Sequence, residues 1–177
     1  MNFSNPQEIL SQFHVDPGMV VADFGAGSGH FTFPLARTVG ASGKVYAIEI
    51  QREILDRLRT DMSQMPGINN VQFVWGDIDN DHGSTLADKS LDRVVIINTL
   101  FQLENKPMAA KEIFRVLKDN GKVLVMEWSD SHGHLGPHPE AVFVEEKCLK
   151  LFEENGFVHD NDIVTGPHHY AVVFKKP

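Results

Sequence analysis

Val20-Val21-Ala22-Asp23-Phe24-Gly25-Ala26-Gly27-Ser28-Gly29-His30-Phe31 decides how this chain is read. Val20–Phe24 is a strand-length apolar run with an acidic residue near its end. Glycine then takes every second position through a tight turn. Without a Cβ, that turn can adopt positive φ and let a small ligand approach the backbone closely. The stretch from Phe31 to about Val39 can form a helix whose N-terminal N–H groups point at the same ligand. A dinucleotide-binding turn requires G-x-G-x-x-G. Here Gly25 and Gly27 fit, but His30 stands in the third position and the extra glycine is Gly29.

Working outward, apolar runs alternate with helical patterns, which predicts a parallel sheet covered on both faces. Strands are expected at Val20–Phe24, Lys44–Ile50, Val71–Trp75, Asp92–Ile97 and Lys122–Glu127. Asn5 and Pro6 open a short helix reaching Phe13. Ile54, Leu55, Leu58 and Met62 recur at helical spacing. Pro107 opens a helix with Ile113, Val116 and Leu117 on its apolar face and Gly121 as its stop. Another helix is expected from Pro139 to Asn155. Phe157–Val164 and Tyr170–Lys175 form a closing pair across Thr165-Gly166-Pro167-His168, a connection short enough only for an antiparallel hairpin. The predicted fold is therefore α/β, a doubly wound and mostly parallel sheet whose last strand is antiparallel.

At 177 residues, 42% hydrophobic and 23% charged, the chain reads as one soluble domain over residues 1–177. A net charge of −8 without basic runs argues against a nucleic-acid partner. No apolar run approaches membrane-span length, and no secretory signal is visible, so a cytoplasmic protein is expected. Cys148 is the single cysteine and falls in an apolar helical pattern, as a small core residue would. Oligomeric state is not legible.

Ligands of such sheets bind at the carboxyl ends of the strands. Asp23 ends the first strand. Glu49 ends the second and could accept hydrogen bonds from both hydroxyls of a ribose. Asp77 follows the third, suited either to an adenine amino group, with the Ile78 N–H beside it, or to an ordinary turn. Asn98 follows the fourth, able to offer its carbonyl to a ligand or to cap the next turn.

With these residues in hand, VVADFGAGSGHF, KVYAIEI, VQFVWGDI, LDRVVIINTLFQLENK and EIFRVLKDNGKVLVMEW together resemble a small class I S-adenosylmethionine-dependent methyltransferase. The resemblance is to the broad type 11 group that includes the ubiquinone and menaquinone C-methyltransferases, and it covers about residues 17–130. It implies a Rossmann-like, seven-stranded sheet with the last strand inserted antiparallel. It also implies S-adenosylmethionine as cofactor, S-adenosylhomocysteine as product and a small-molecule acceptor. By resemblance, Asp23, Gly25, Ala26, Gly27, Glu49, Ile50, Asp77, Ile78 and Asn98 would contact the cofactor. The glycines would border its methionine part, Glu49 its ribose, and Ile50, Asp77 and Ile78 its adenine. Residues 1–15 would form a cover helix, with Phe3 and Phe13 serving either as cover or as core. Asn98-Thr99-Leu100-Phe101 departs from the N-P-P-aromatic motif of some N-methylating relatives, which counts against DNA bases or glutamine as acceptors. Other relatives carry histidine where this chain has Phe101 or Gln102.

Residues 128–139 (WSDSHGHLGPHP) lie at the expected acceptor edge. His132, His134 and His138 are candidate bases there. The loop reads first as a mobile polar segment with solvated histidines, next as a lid that carries the base, and last, with a carboxylate, as a zinc or iron site; no metal is assigned. His30 reads as a helix cap or an acceptor-side residue, and His168 and His169 as turn residues. A non-catalytic S-adenosylmethionine-binding module and a nicotinamide-dependent oxidoreductase remain rival readings.

Overall fold

A computed structural model describes residues 5–131 and 136–177. The helices are α1 (Pro6–Gln12), α2 (Thr32–Val39), α3 (Arg52–Ser63), α4 (Lys106–Val116) and α5 (Glu145–Glu154). The strands are β1 (Val20–Phe24), β2 (Lys44–Glu49), β3 (Val71–Trp75), β4 (Leu91–Ile97), β5 (Leu117–Trp128), β6 (Val158–Asp162) and β7 (His169–Lys175). The strands form one seven-stranded sheet in the order β3-β2-β1-β4-β5-β7-β6. Strands β1 to β5 pair in parallel, while β7 runs antiparallel between β5 and β6. The doubly wound, mostly parallel sheet with an antiparallel last strand is as expected.

Alternation along the strands feeds two cores, one per face. Ala22, Phe24, Val94, Ile96, Val123 and Val125 pack towards α4 and α5 with Ile113 and Phe152. Val21, Val45, Ala47, Val95 and Leu124 pack on the other face with Leu35 of α2 and Ile9 and Leu10 of α1. Cys148 is fully buried in the first core. Phe13 is buried in the second, and Phe3 lies outside the described residues. Asn5 caps α1 by accepting the Gln7 N–H at 3.0 Å, and Asn105 caps α4 by accepting the Met108 N–H. No helix among the described residues is long and apolar enough to cross a membrane.

Two helix boundaries differ from expectation. Helix α4 stops at Val116, not Gly121, and Leu117 already pairs with Leu91. The carbonyls at this helix end find donors elsewhere: Lys89 N–H binds the Arg115 carbonyl, Ser90 N–H the Val116 carbonyl, and the Lys176 ammonium those of Phe114 and Leu117. A helix ends readily where its last carbonyls are satisfied from outside. The stretch from Pro139 is also not one helix. It makes a single 3₁₀ turn over Pro139–Ala141, runs extended, and becomes α5 only at Glu145. The Tyr170 hydroxyl donates to the Phe143 carbonyl at 2.7 Å, tying down the extended segment.

The long connection from β3 to β4 is held on α4 by a buried carboxylate. Glu112 accepts from the backbone N–H and hydroxyl of Ser84 and from a two-pronged Arg115 contact, and Arg115 also reaches Asp88. That anchors the turn following Asp77 beside the carboxyl end of β2.

Candidate functional site

The carboxyl ends of the parallel strands open into a cavity of about 1040 Å³ at the β1/β4 switch point. Its floor is the glycine turn. Gly25, Gly27 and Gly29 have φ of +81°, +50° and +80°, backbone that L side chains rarely adopt. The three serve different ends. A Cβ on Gly25 would lie 2.5 Å from the Thr99 Oγ1, whereas one on Gly29 would strike Phe33 and Leu58 at 2.6 and 2.7 Å. Gly29 thus lets α2 and α3 close on the turn, a packing role. Around Gly27 the nearest such atom is the Gly25 carbonyl oxygen at 3.9 Å, so a side chain there would enter open space. The N–H groups of Gly25 and Ala26 both bond the Ile48 carbonyl, lashing the turn to β2.

Asp23, Gly25, Ala26, Gly27, Glu49, Ile50, Asp77, Ile78 and Asn98 all line this cavity. Asp23 is buried and accepts the Thr32 hydroxyl at 2.6 Å, joining β1 to the start of α2. Glu49 is also buried. Its Oε1 accepts the N–H groups of Ile50 and Gln51 at 2.9 and 3.0 Å, and its Oε2 accepts that of Gly27 at 3.1 Å. A carboxylate offers about four acceptor positions, so most of Glu49 is spent on shaping the site. Ile50 is 52% exposed, an apolar surface suited to a flat ring. Asp77 turns its carboxylate into its own loop, accepting from the Asp79 N–H and the Asn80 amide. Ile78 is buried with the core.

Asn98 does not cap the next turn. That turn, Leu100–Gln102, has Thr99 at its start and no side-chain cap. Asn98 instead has φ of +50° and places its Nδ2 3.3 Å from the His169 Nε2. Its Oδ1 is buried with no hydrogen-bond partner among the described residues. His30 does not cap α2 either. The N-cap position is held by Phe31, with no side-chain cap, and exposed His30 meets the Phe31 ring edge-on at the cavity rim.

His132 and His134 lie outside the described residues. His138 precedes the 3₁₀ turn and is not among the cavity-lining residues. No cluster of three or more metal-ligating side chains occurs among the described residues. His169, expected in the turn, opens β7, lines the cavity and packs against Trp128 with the rings tilted by 38° and 4.2 Å between centroids. Burial, then neighbouring His168, holds its imidazole below the usual histidine range. His168 pairs with Asp130 at 3.0 Å.

Sequence reasoning assigned no role to Glu127. It is the penultimate residue of β5, is fully buried, and its Oε1 accepts the N–H groups of Thr99 and Leu100 at 2.8 and 2.6 Å. Its Oε2 has no partner among the described residues. Burial pushes this carboxyl up to about 7, against the lowering effect of those backbone donors. Burial likewise pushes Asp23 up to about 6, with the Thr32 hydroxyl opposing and Glu49 reinforcing.

The Asp23 shift has a signed consequence. A carboxyl that binds its proton more tightly folded than unfolded stabilises the fold least when ionised, so its contribution is lost as pH rises from about 4 to about 6. Asp23→Asn is expected to remove that slope, worth up to about 3 kcal/mol. Urea unfolding of both proteins across this range measures it, and parallel curves would contradict the shift.

A family model described as a methyltransferase domain matches residues 15–163. The chain is 34% identical over 115 residues to the "Ubiquinone/menaquinone biosynthesis C-methyltransferase UbiE" of Hydrogenovibrio crunogenus, covering 65% of this chain and 44% of that protein. It is 31% identical over 115 residues to the protein of the same name from Haemophilus ducreyi, covering 65% and 43%. The match therefore spans less than half the length of these relatives. A SAM-dependent methyltransferase of Aquifex aeolicus superposes with a TM-score of 0.90 at 25% identity, covering 99% of this chain and 91% of that one. With the model match extending over most of its length, the chain belongs to the methyltransferase-domain family.

Proposed function

We propose that this cavity binds S-adenosylmethionine and that the chain directs its methyl group onto a small-molecule acceptor. The observation that carries the reading is the charge of the lining. Asp23, Glu49, Asp77, Asp79 and Glu104 are among the residues lining the cavity, and no Lys or Arg is among the described residues that line it. Such a lining suits a cationic ligand and repels the pyrophosphate of a nicotinamide cofactor. The glycine turn gives close backbone approach for the amino-acid end. Glu49, with one acceptor position still open, meets the ribose; exposed Ile50 lies under the adenine, and the Asp77–Ile78 segment meets its edge.

When bound, the cofactor would supply a methyl group on a positively charged sulfur: the acceptor would bond to that carbon as the C–S bond breaks and neutral S-adenosylhomocysteine leaves. The protein's own part is alignment and exclusion of water. The acceptor enters between Asn98, Met126 and His169, where the wall is mostly neutral and partly aromatic. The ubiquinone and menaquinone names of the relatives support an uncharged, ring-containing acceptor.

Calorimetric titration with S-adenosylmethionine, S-adenosylhomocysteine and NAD tests this reading. Binding of the first two and not the third is the expected result, and binding of NAD alone would overturn it.

A further inference from the structure

The cofactor side and the acceptor side of the cavity touch through Thr99. Its side chain packs so close to the glycine turn that no Cβ fits at Gly25. Thr99 is not held there by its side chain alone, although its hydroxyl does bond the Ile97 carbonyl at 3.0 Å. Its backbone N–H, and that of Leu100, end on Glu127 Oε1, and Phe101 N–H faces the same carboxyl. These are the first donors of the Leu100–Gln102 turn, groups with no partner inside the turn itself. One buried carboxylate on β5 therefore fixes where the segment after β4 meets the segment after β1. Asn98 and Gln102, which line the cavity on either side of Thr99, move with it.

We propose that Glu127 is a positioning residue that couples cofactor affinity to pH: ionised, it clamps the 99–101 backbone against the glycine turn, and protonated, it releases it. The proposal rests on the reading of the cavity as an S-adenosyl site.

The surroundings favour a carboxyl that changes state near neutrality. Only one of its oxygens is hydrogen-bonded, and the other is buried without a partner among the described residues. Lys106 at the start of α4 lies near enough to favour the charge. From α5 it is faced by Cys148 and from β7 by Tyr170, and Glu145 acts on both of these groups. Burial pushes both the Cys148 thiol and the Tyr170 hydroxyl far up, so neither carries charge in the neutral range. Of these groups, Lys106 alone carries a positive charge. A carboxylate accepting several N–H groups holds them more strongly than a carboxylic acid does, so the clamp weakens as the proton binds.

The test is calorimetric titration of the whole chain with S-adenosylhomocysteine, whose own groups do not titrate near neutrality. If only the ionised clamp is competent and its midpoint is about 7, the wild-type Kd rises about tenfold from about pH 8.5 to about pH 6. Glu127→Gln cannot ionise, so the ratio of its Kd to the wild-type Kd is expected to fall from about tenfold at about pH 8.5 to about one at about pH 6. Asp23, His30 and His169 also face the cavity, but they are common to both proteins and drop out of the comparison. A wild-type Kd that does not change with pH overturns the Glu127 proposal whatever the variant does. So does a Glu127→Gln protein that keeps the wild-type slope. Failure to bind S-adenosylhomocysteine at any pH overturns the cofactor reading, and this proposal with it.

Discussion

Gly25→Val is expected to weaken S-adenosylhomocysteine binding by at least about 100-fold, roughly 3 kcal/mol. Two penalties combine. The backbone there has φ of +81°, where a β-branched residue is strained by about 1–3 kcal/mol. The new Cβ would also sit 2.5 Å from the Thr99 Oγ1 and 2.7 Å from its Cγ2. Thr99 has nowhere to go, because its N–H is fixed on Glu127 and its hydroxyl on the Ile97 carbonyl. Either the glycine turn or the turn after β4 must move, and both wall the cavity. The melting temperature is expected to fall by about 4–8 °C, from a cost of about 2 kcal/mol in a domain of this size. Calorimetry and a thermal melt measure the two effects. Affinity within about threefold of wild type, below 1 kcal/mol, would remove the glycine turn from the ligand site.

Glu49→Ala has the next largest expected effect, about 2 kcal/mol or 30-fold in affinity. The loss has two origins. The ligand loses a charged acceptor, and the N–H groups of Gly27, Ile50 and Gln51 lose theirs. Glu49→Gln separates this account from simple loss of bulk. An amide keeps one oxygen but must turn its NH₂ towards either Gly27 N–H or the Ile50 and Gln51 pair, setting donor against donor. The amide variant is therefore expected to bind nearly as poorly as the alanine variant. Titrations of both with S-adenosylhomocysteine decide it, and wild-type affinity in either would detach Glu49 from the ribose.

Much of this architecture was legible because it is local. The glycine turn, the Asn5 cap and the strand-length apolar runs each show their physics within a few residues. What was not legible depends on distant partners. Nothing near Gly121 announces that α4 will end at Val116, because the donors that satisfy its last carbonyls come from Lys89, Ser90 and Lys176. Nothing in Val142-Phe143-Val144 shows that a tyrosine 27 positions beyond Phe143 will take its carbonyl. Glu127 was passed over for the same reason, since its partners are backbone N–H groups 27 and 28 residues away. His169 looked like a turn residue because the turn is short. Only the pairing of Trp128 with His169 across β5 and β7 shows that it belongs to the strand and to the cavity wall. The candidate cofactor contacts were easier to find than the acceptor side, because they follow the strands at fixed offsets.

The placement of β7 bears on how the protein is made. Strands β1 to β5 need only one another and can pair as they leave the ribosome. Strand β6 is exposed along all five residues and joins the sheet through β7 alone. Strand β6 must therefore wait, unpaired, for the seven-residue β7 to slot in beside β5. That last event also delivers His169 to the cavity. Nascent chains stalled before β7 would carry a bare β5 edge, the kind of surface that recruits wrong partners. The cavity wall is therefore complete only once β7 has paired.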